Sequence, residues 1–261
     1  VFNALEFENP YYKSLQYEVF SQIMRVFVAA KVPPTFFKVQ EAITNPQLLV
    51  TISRNLSDPA LYAWAENYKN LSASERAQRT SGLTAALSHF CQCTNAPLFN
   101  TEDSTTDINL DHALATDQIL YFQLPVLRMP FLGQASGKMI LQCLQSAVAN
   151  RHQRKGEKGK FFAVFLDDFT EYLYPGFVSI LNKSRSANIG VVFAHQALGD
   201  IKTLGDAIAN SILTNTNLKI FMRGNDPDSA EYFSKVIGTE KNMKYTERTK
   251  RNLLGKNETG D

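Results

Sequence analysis

The run from Phe161 to Phe169, FFAVFLDDF, constrains the fold of this chain more than any other feature. Six of its first seven residues are Phe, Val, Leu or Ala with no 3.6-residue spacing, the pattern of a central parallel strand covered on both faces. Asp167 and Asp168 then emerge at its carboxyl end, the edge at which open α/β sheets bind ligands. In nucleotide-hydrolysing enzymes the first acid at such a tip holds Mg²⁺ through water, and the second polarises the attacking water. An Asp-Asp pair also opens an ordinary turn, so the residues around it must decide.

Two kinds of sequence flank this point. Residues 10 to 106 read as helix only. Tyr12 to Ala30 sets Leu15, Val19, Ile23, Val26, Phe27 and Ala30 on one face of an amphipathic helix, which Val32-Pro33-Pro34 ends. Ser57 and Asp58-Pro59 launch a second helix through Trp64 to about Leu71. Ser72 and Glu75 form an S-x-x-E capping box that starts another, running to about Phe90. A bundle of about four or five helices is expected.

From residue 107 the chain alternates. Gln118 to Leu124 (QILYFQL) is expected as a strand, Gly133 to about Arg151 as a helix and Phe162 to Leu166 as the central strand. A helix over Phe177 to Ala187, a strand over Gly190 to Ala194, a helix over Leu204 to Asn215 and a strand over Leu218 to Met222 follow. Asp226-Pro227 caps a last helix that stops at Gly238. Strands alternating with helices of this length imply βαβ units and a parallel sheet, with the strands ending at Leu166, Ala194 and Met222 side by side.

Polar residues recur at the ends of these strands. Gln196 follows the GVVFA strand, Arg223-Gly224-Asn225-Asp226 follows the next, and Arg185 lies in the turn before GVVFA. Asp167, Gln196 and Asn225 are therefore expected on one rim. A glutamine there can orient water or sense a γ-phosphate, and an arginine can neutralise transition-state charge. Glu171 is a further carboxylate, expected to face solvent. Gly133 to Lys138, GQASGK, imitates a phosphate-binding loop but fails it: three residues separate the glycines where four are needed, and Met139 stands where Ser or Thr belongs.

Composition excludes some classes. With 44% hydrophobic and 20% charged residues over 261 positions, the chain can bury a sizeable core. Net charge is +2, so any nucleic-acid surface must be local: Arg151, Arg154, Lys155 and Lys158 in RHQRKGEKGK, or the basic stretch Lys241 to Lys256. The plainer reading of both is a solvated loop and a frayed tail. Cys91, Cys93 and Cys143 offer no paired zinc spacing, and no apolar run reaches membrane-spanning length. The chain opens without an initiator Met and closes on NETGD, as expected of a piece of a longer protein.

Three segments in order, VFLDDF, SRSANIGVVFAHQALGDI and SILTNTNLKIFMRGNDPDSAEYFSKVIG, resemble the type IV coupling proteins of conjugation and secretion, the TraD/TraG-type ATPases. The resemblance spans nearly the whole chain. It implies a RecA-like nucleotide-binding domain of α/β class, present in part, with an all-α domain inserted before the carboxylate strand. Residues 1–9 would be the lead-in from the nucleotide-binding domain, 10–106 the all-α domain and 107–261 the C-terminal half of the RecA-like domain. The P-loop would then lie upstream of Val1.

Carried over by residue, the resemblance assigns Asp167 to Mg²⁺ through water, Asp168 to the catalytic carboxylate position and Gln196 to γ-phosphate sensing. Asn225 would contact the nucleotide, and Arg185 would be offered to a neighbouring subunit's site. The cofactors implied are ATP and Mg²⁺. The implied assembly is a homo-hexamer at the cytoplasmic face of the bacterial inner membrane, held there by an N-terminal segment outside this chain. Its implied partners are a relaxase–DNA complex or protein effectors, and components of the secretion channel. One departure matters: the family usually carries Asp-Glu where this chain has Asp-Asp. The shorter side chain retracts the carboxylate by on the order of 1.5 Å, and misplacement of that size can cost about 10²-fold in rate. Two alternatives are a docking module for secretion substrates that does not hydrolyse ATP, and a DNA pump of the FtsK/HerA type, which lacks an inserted helical domain of this size.

Overall fold

A computed structural model of the chain describes residues 10–103, 107–153, 159–222, 225–238, 249–251 and 257–259. It is mostly helical. Five helices of eight residues or more come first: α1 (Pro10–Ala29), α2 (Phe36–Thr44), α3 (Pro46–Ser53), α4 (Pro59–Asn70) and α5 (Ala73–Gln92). The one-turn α6 (Ala96–Phe99), α7 (Leu110–Ala115) and the long α8 (Pro130–Gln153) follow. Then come β1 (Phe162–Leu166), a 3₁₀ turn over Phe169–Tyr172, α9 (Phe177–Ser184), β2 (Ile189–Phe193), α10 (Leu198–Lys202), α11 (Asp206–Asn215) and α12 (Pro227–Ile237). Two short strands, β3 (Thr249–Arg251) and β4 (Asn257–Thr259), pair antiparallel within the basic tail, for which the plainer sequence reading is a frayed end.

Local signals set the helix ends. Asp58 accepts the Ala60 amide to cap α4, and Ser72 and Glu75 exchange both bonds of the capping box at α5. The α1 helix closes with Lys31 in the left-handed region (φ 56°) while the Val32 amide reaches back to the Phe27 carbonyl at 2.9 Å. Its buried stripe is Val19, Ile23, Val26 and Phe27, joined by Gln16, which lies against Gly82 of α5. Trp64 of α4 donates its indole N–H to Glu18 of α1 at 3.0 Å. Phe36 stacks on Phe90 with ring centroids 4.4 Å apart, which fixes α2 against α5.

Two apolar cores result, and α8 belongs to both. Leu132 and Ala135, in its first turns, complete the core built by α1 to α5. Leu141, Leu144, Ala147 and Val148, further along, form the second core with Phe169, Phe177, Ile180, Ile189 and Ile212. The two glycines of GQASGK make this possible. A Cβ on Gly133 would lie 2.8 Å from the Val126 backbone, and one on Gly137 would lie 2.6 Å from the Tyr172 ring. The motif is close packing inside a helix, not a loop of free amides.

The sheet is smaller than the alternation implied. β1 and β2 pair in parallel with Phe162 opposite Ile189 and Leu166 opposite Phe193. Residues 118–124 and 218–222, expected as strands, run without a hydrogen-bonded ladder. β1 is also covered on one face only: Phe162, Val164 and Leu166 point at the second core, while Ala163 and Phe165 face outward. The continuous apolar run therefore reads as a fully buried strand in sequence but is half covered here.

Burial pushes the phenols of Tyr68, Tyr172 and Tyr174 up to about 12 from 10.0. A phenol held neutral in the fold contributes stability that is complete below the unfolded value and lost as pH rises through the folded one. The chain should thus lose stability between about pH 10 and pH 12, with three of its ten tyrosines ionising late, as read by ultraviolet difference titration alongside circular dichroism. Gly137→Val should cost about 1–3 kcal/mol through overpacking against Tyr172, measured as a shift in urea midpoint at unchanged slope.

Candidate functional site

The carboxyl edge of the two strands is organised by one buried ring. Phe169 is fully buried and meets Phe177 and Phe193 with centroids 5.2 and 4.6 Å away. The chain must therefore dive into the core directly after the strand. Asp168 turns it there in the left-handed conformation (φ 43°), which is uncommon for a residue other than glycine and tolerated by Asp. The Asp167 carboxylate accepts the Asp168 amide at 3.1 Å, and the Phe169 amide reaches the Ala194 carbonyl at 3.3 Å. Both carboxylates are left at the surface as a result.

Tyr172 fastens this turn from beneath. Its hydroxyl donates to the Asp167 carbonyl at 2.8 Å while its ring lies against Gly137 of α8. Its phenol is pushed up first by burial and then by the charges of Asp167 and Asp168. Glu171 is exposed and accepts a bond from Gln134 of α8 at 3.2 Å, so it braces the turn against the helix.

Gln196 is exposed on the loop after β2. Because β1 and β2 are parallel and in register, Asp167 and Gln196 stand at the same end of the sheet. Neighbouring His195 bonds the Ala197 carbonyl at 3.0 Å and belongs to the loop's own structure. Asn225 reaches this end by a different route. Asp226 accepts the Ser229 amide at 3.0 Å and caps α12, and the buried Ser229 hydroxyl accepts the Leu198 amide at 3.1 Å. The loop carrying Gln196 and the loop carrying Asn225 are thereby tied together. The flanking Arg223 and Gly224 lie outside the described residues.

Arg185 is elsewhere. It is exposed at the C-terminus of α9, before β2, at the amino edge of the sheet. A five-residue strand at about 3.3 Å per residue separates it from Gln196 by roughly 16 Å. Within one molecule it does not join Asp167 and Gln196. Arg151 is 9% exposed and donates to the Lys160 carbonyl, closing the end of α8 onto the lead-in to β1. Its side chain is therefore packed at the end of α8 instead of projecting into solvent. Arg154, Lys155 and Lys158 lie outside the described residues.

Adjacent exposed carboxylates suit a hydrated divalent ion, which binds through few protein oxygens. The amides of GQASGK are spent within α8 and its glycines are buried, so this segment cannot cradle phosphate. Tyr172 and Ser229, which hold the site together, carry no motif of their own in the sequence. The Asp226-Pro227 cap is readable in sequence, whereas the bond from the Leu198 amide to the Ser229 hydroxyl is not.

The arrangement is an α/β layer bearing two acids and a glutamine at the carboxyl edge of parallel strands. Residues 162–260 match the family model described as the TraM recognition site of TraD and TraG. The match begins at the first residue of β1 and takes in Asp167, Asp168, Gln196 and Asn225; it supports a TraD/TraG-type coupling protein. No curated protein and no solved structure matches the chain. No helix of the described residues is long and apolar enough to cross a membrane.

Bonds from the Ser229 hydroxyl and amide hold the Asp226 carboxyl below its usual range. Such a group stabilises the fold above its unfolded value, and that contribution is lost as pH falls through the folded one. Acidification below the normal carboxylate range should therefore free α12 from the Gln196 loop before the cores unfold. Amide exchange at Leu198 and Ser229 should rise, and Asp226→Ala should produce the same rise at neutral pH.

Proposed function

We propose that the chain is part of a coupling ATPase of conjugation, working with a relaxase–DNA complex or protein effectors as cargo. The observation that carries this reading is the family match over 162–260 laid on two exposed carboxylates at the carboxyl edge of parallel strands. In this reading Asp167 holds Mg²⁺ through water and Asp168 polarises the attacking water. Gln196 senses the γ-phosphate, and Asn225 lines the rim beside it. The fold completed around β1 and β2 is RecA-like, and the phosphate-binding loop comes from polypeptide outside this chain. ATP and Mg²⁺ are the cofactors of a hexamer at the cytoplasmic face of the inner membrane, feeding a secretion channel.

The placement of Arg185 at the far edge of the sheet accords with a role across a subunit boundary. Such an arginine acts on transition-state charge and can be worth about 10³-fold or more in turnover. A second reading, a docking module that does not hydrolyse ATP, draws on Asp168 in place of the usual Glu. It also draws on the family description itself, which makes this segment a recognition site for TraM.

With no phosphate cradle among the described residues, residues 1–261 should bind Mg-ATP far more weakly than micromolar in calorimetry; micromolar affinity would place a complete nucleotide site within the chain. In a parent polypeptide carrying the loop, Arg185→Ala and Asp167→Ala should each abolish turnover, and mixed rings of the two should regain part of it. Mixed rings that have exchanged subunits and stay inactive would remove Arg185 from the site. A parent inactive in wild-type form, yet still binding a TraM-like partner, would establish the docking module instead.

A further inference from the structure

One peptide group lies between the Tyr172 hydroxyl and the Asp167 carboxylate. The phenol donates to its carbonyl, on Asp167, at 2.8 Å. Its N–H, on Asp168, donates to Asp167 Oδ1 at 3.1 Å. A peptide group is planar, so a bond that fixes the carbonyl also fixes where the amide points. Asp168, on the far side of this plane, is left-handed at φ 43°, and such a backbone persists only where its surroundings determine it. Rotating the plane would carry Asp168 out of that region and take its amide away from Oδ1. The next plane has its own tie, since the Glu171 amide donates to the Asp168 carbonyl at 3.1 Å.

Packing alone does not call for the hydroxyl. Tyr172 is buried with its ring against Gly137 of α8, and a phenylalanine would fill the same space. Burial, reinforced by the charges of Asp167 and Asp168, pushes the phenol up to about 12, so it remains a hydrogen-bond donor throughout the neutral range. Hydrogen bonds in series polarise one another where the local dielectric is low, which strengthens the hold on Oδ1.

We propose that Tyr172 is a positioning residue for the Asp167 carboxylate: through the 167–168 peptide its hydroxyl ties Oδ1 to the Asp168 amide and turns Oδ2 to solvent, as the oxygen that meets the water of a hydrated cation. Magnesium keeps several of its waters and requires near-ideal octahedral geometry. A carboxylate held by one oxygen suits that shell better than one that turns freely. The link to a cation rests on the reading of Asp167 as the residue that holds Mg²⁺; the hold on the carboxylate does not.

The test is nuclear magnetic resonance on the full chain with Tyr172→Phe as the variant, its fold checked by circular dichroism and by amide exchange at the buried Val148 and Ile180. The wild-type Asp167 side chain should show the couplings of a single χ1 rotamer, and in the variant these should move to averaged values. Exchange of the Asp168 amide should rise about three- to tenfold, the range that one hydrogen bond is worth. Half-broadening of the Asp168 and Phe169 signals by Mn²⁺, the probe for Mg²⁺, should need a concentration higher by about the same factor. Tyr172→p-aminophenylalanine, which restores a donor at the same point of the ring, should bring all three back. Asp167 couplings and Asp168 exchange unchanged in Tyr172→Phe overturn the proposal. A lowered urea midpoint with no change at Asp167 also overturns it, since the hydroxyl would then be structural only. Averaged Asp167 couplings in the wild type overturn it without any variant. Wild-type signals indifferent to Mn²⁺ would remove the cation from Asp167, while the couplings still decide the role of Tyr172.

Discussion

Everything in this structure depends on α8 being buried along most of its length. Its early residues complete the core of the helical bundle and its later ones complete the core beneath the strands, so neither core closes without it. Burying a Leu or Val side chain contributes about 1.5–3 kcal/mol, and α8 supplies such residues to both cores. Close approach is the condition: Gly133 admits the Val126 backbone and Gly137 admits the Tyr172 ring.

The candidate site inherits its shape from that packing. Phe169 anchors the chain below the strand tip, and Tyr172 props the Asp167 carbonyl from the surface of α8. Asp168 holds its left-handed backbone because the anchored neighbours on either side leave no other path. The second half of the rim is assembled by a capping serine with a second partner. Ser229 serves α12 and the loop after β2 at once. Arg185 stands at the far end of α9, whose first residue, Phe177, packs on Phe169, so the fold itself separates it from the acids.

Much of this was legible in sequence where the cause is local. The capping box at Ser72 and Glu75, the Asp58 and Asp226 caps and the strand conformation of β1 and β2 follow from short-range patterns and appear as expected. Failures came where tertiary context decides. Residues 118–124 and 218–222 carry strand-like alternation without a ladder, because a ladder depends on neighbours that local sequence does not specify. FFAVFLDDF read as covered on both faces, yet Phe165 is open because burial is set by what packs on a strand rather than by the strand. Arg151 looked like a surface cation in a basic run, and its bond to the Lys160 carbonyl could not be inferred from spacing.

A helix shared by two cores is also a lever. At 24 residues α8 is a rod of roughly 36 Å, gripped in its first turns by the helical bundle and pressed on Tyr172 at Gly137, directly after that grip. Whatever reorients the bundle must therefore bend this rod or tilt it. Tilting slides Gly137 under the Tyr172 ring, and that ring is hydrogen-bonded to the Asp167 carbonyl. The Gly137–Tyr172 contact is thus the place where the helix shared by both cores meets the turn that carries the two carboxylates.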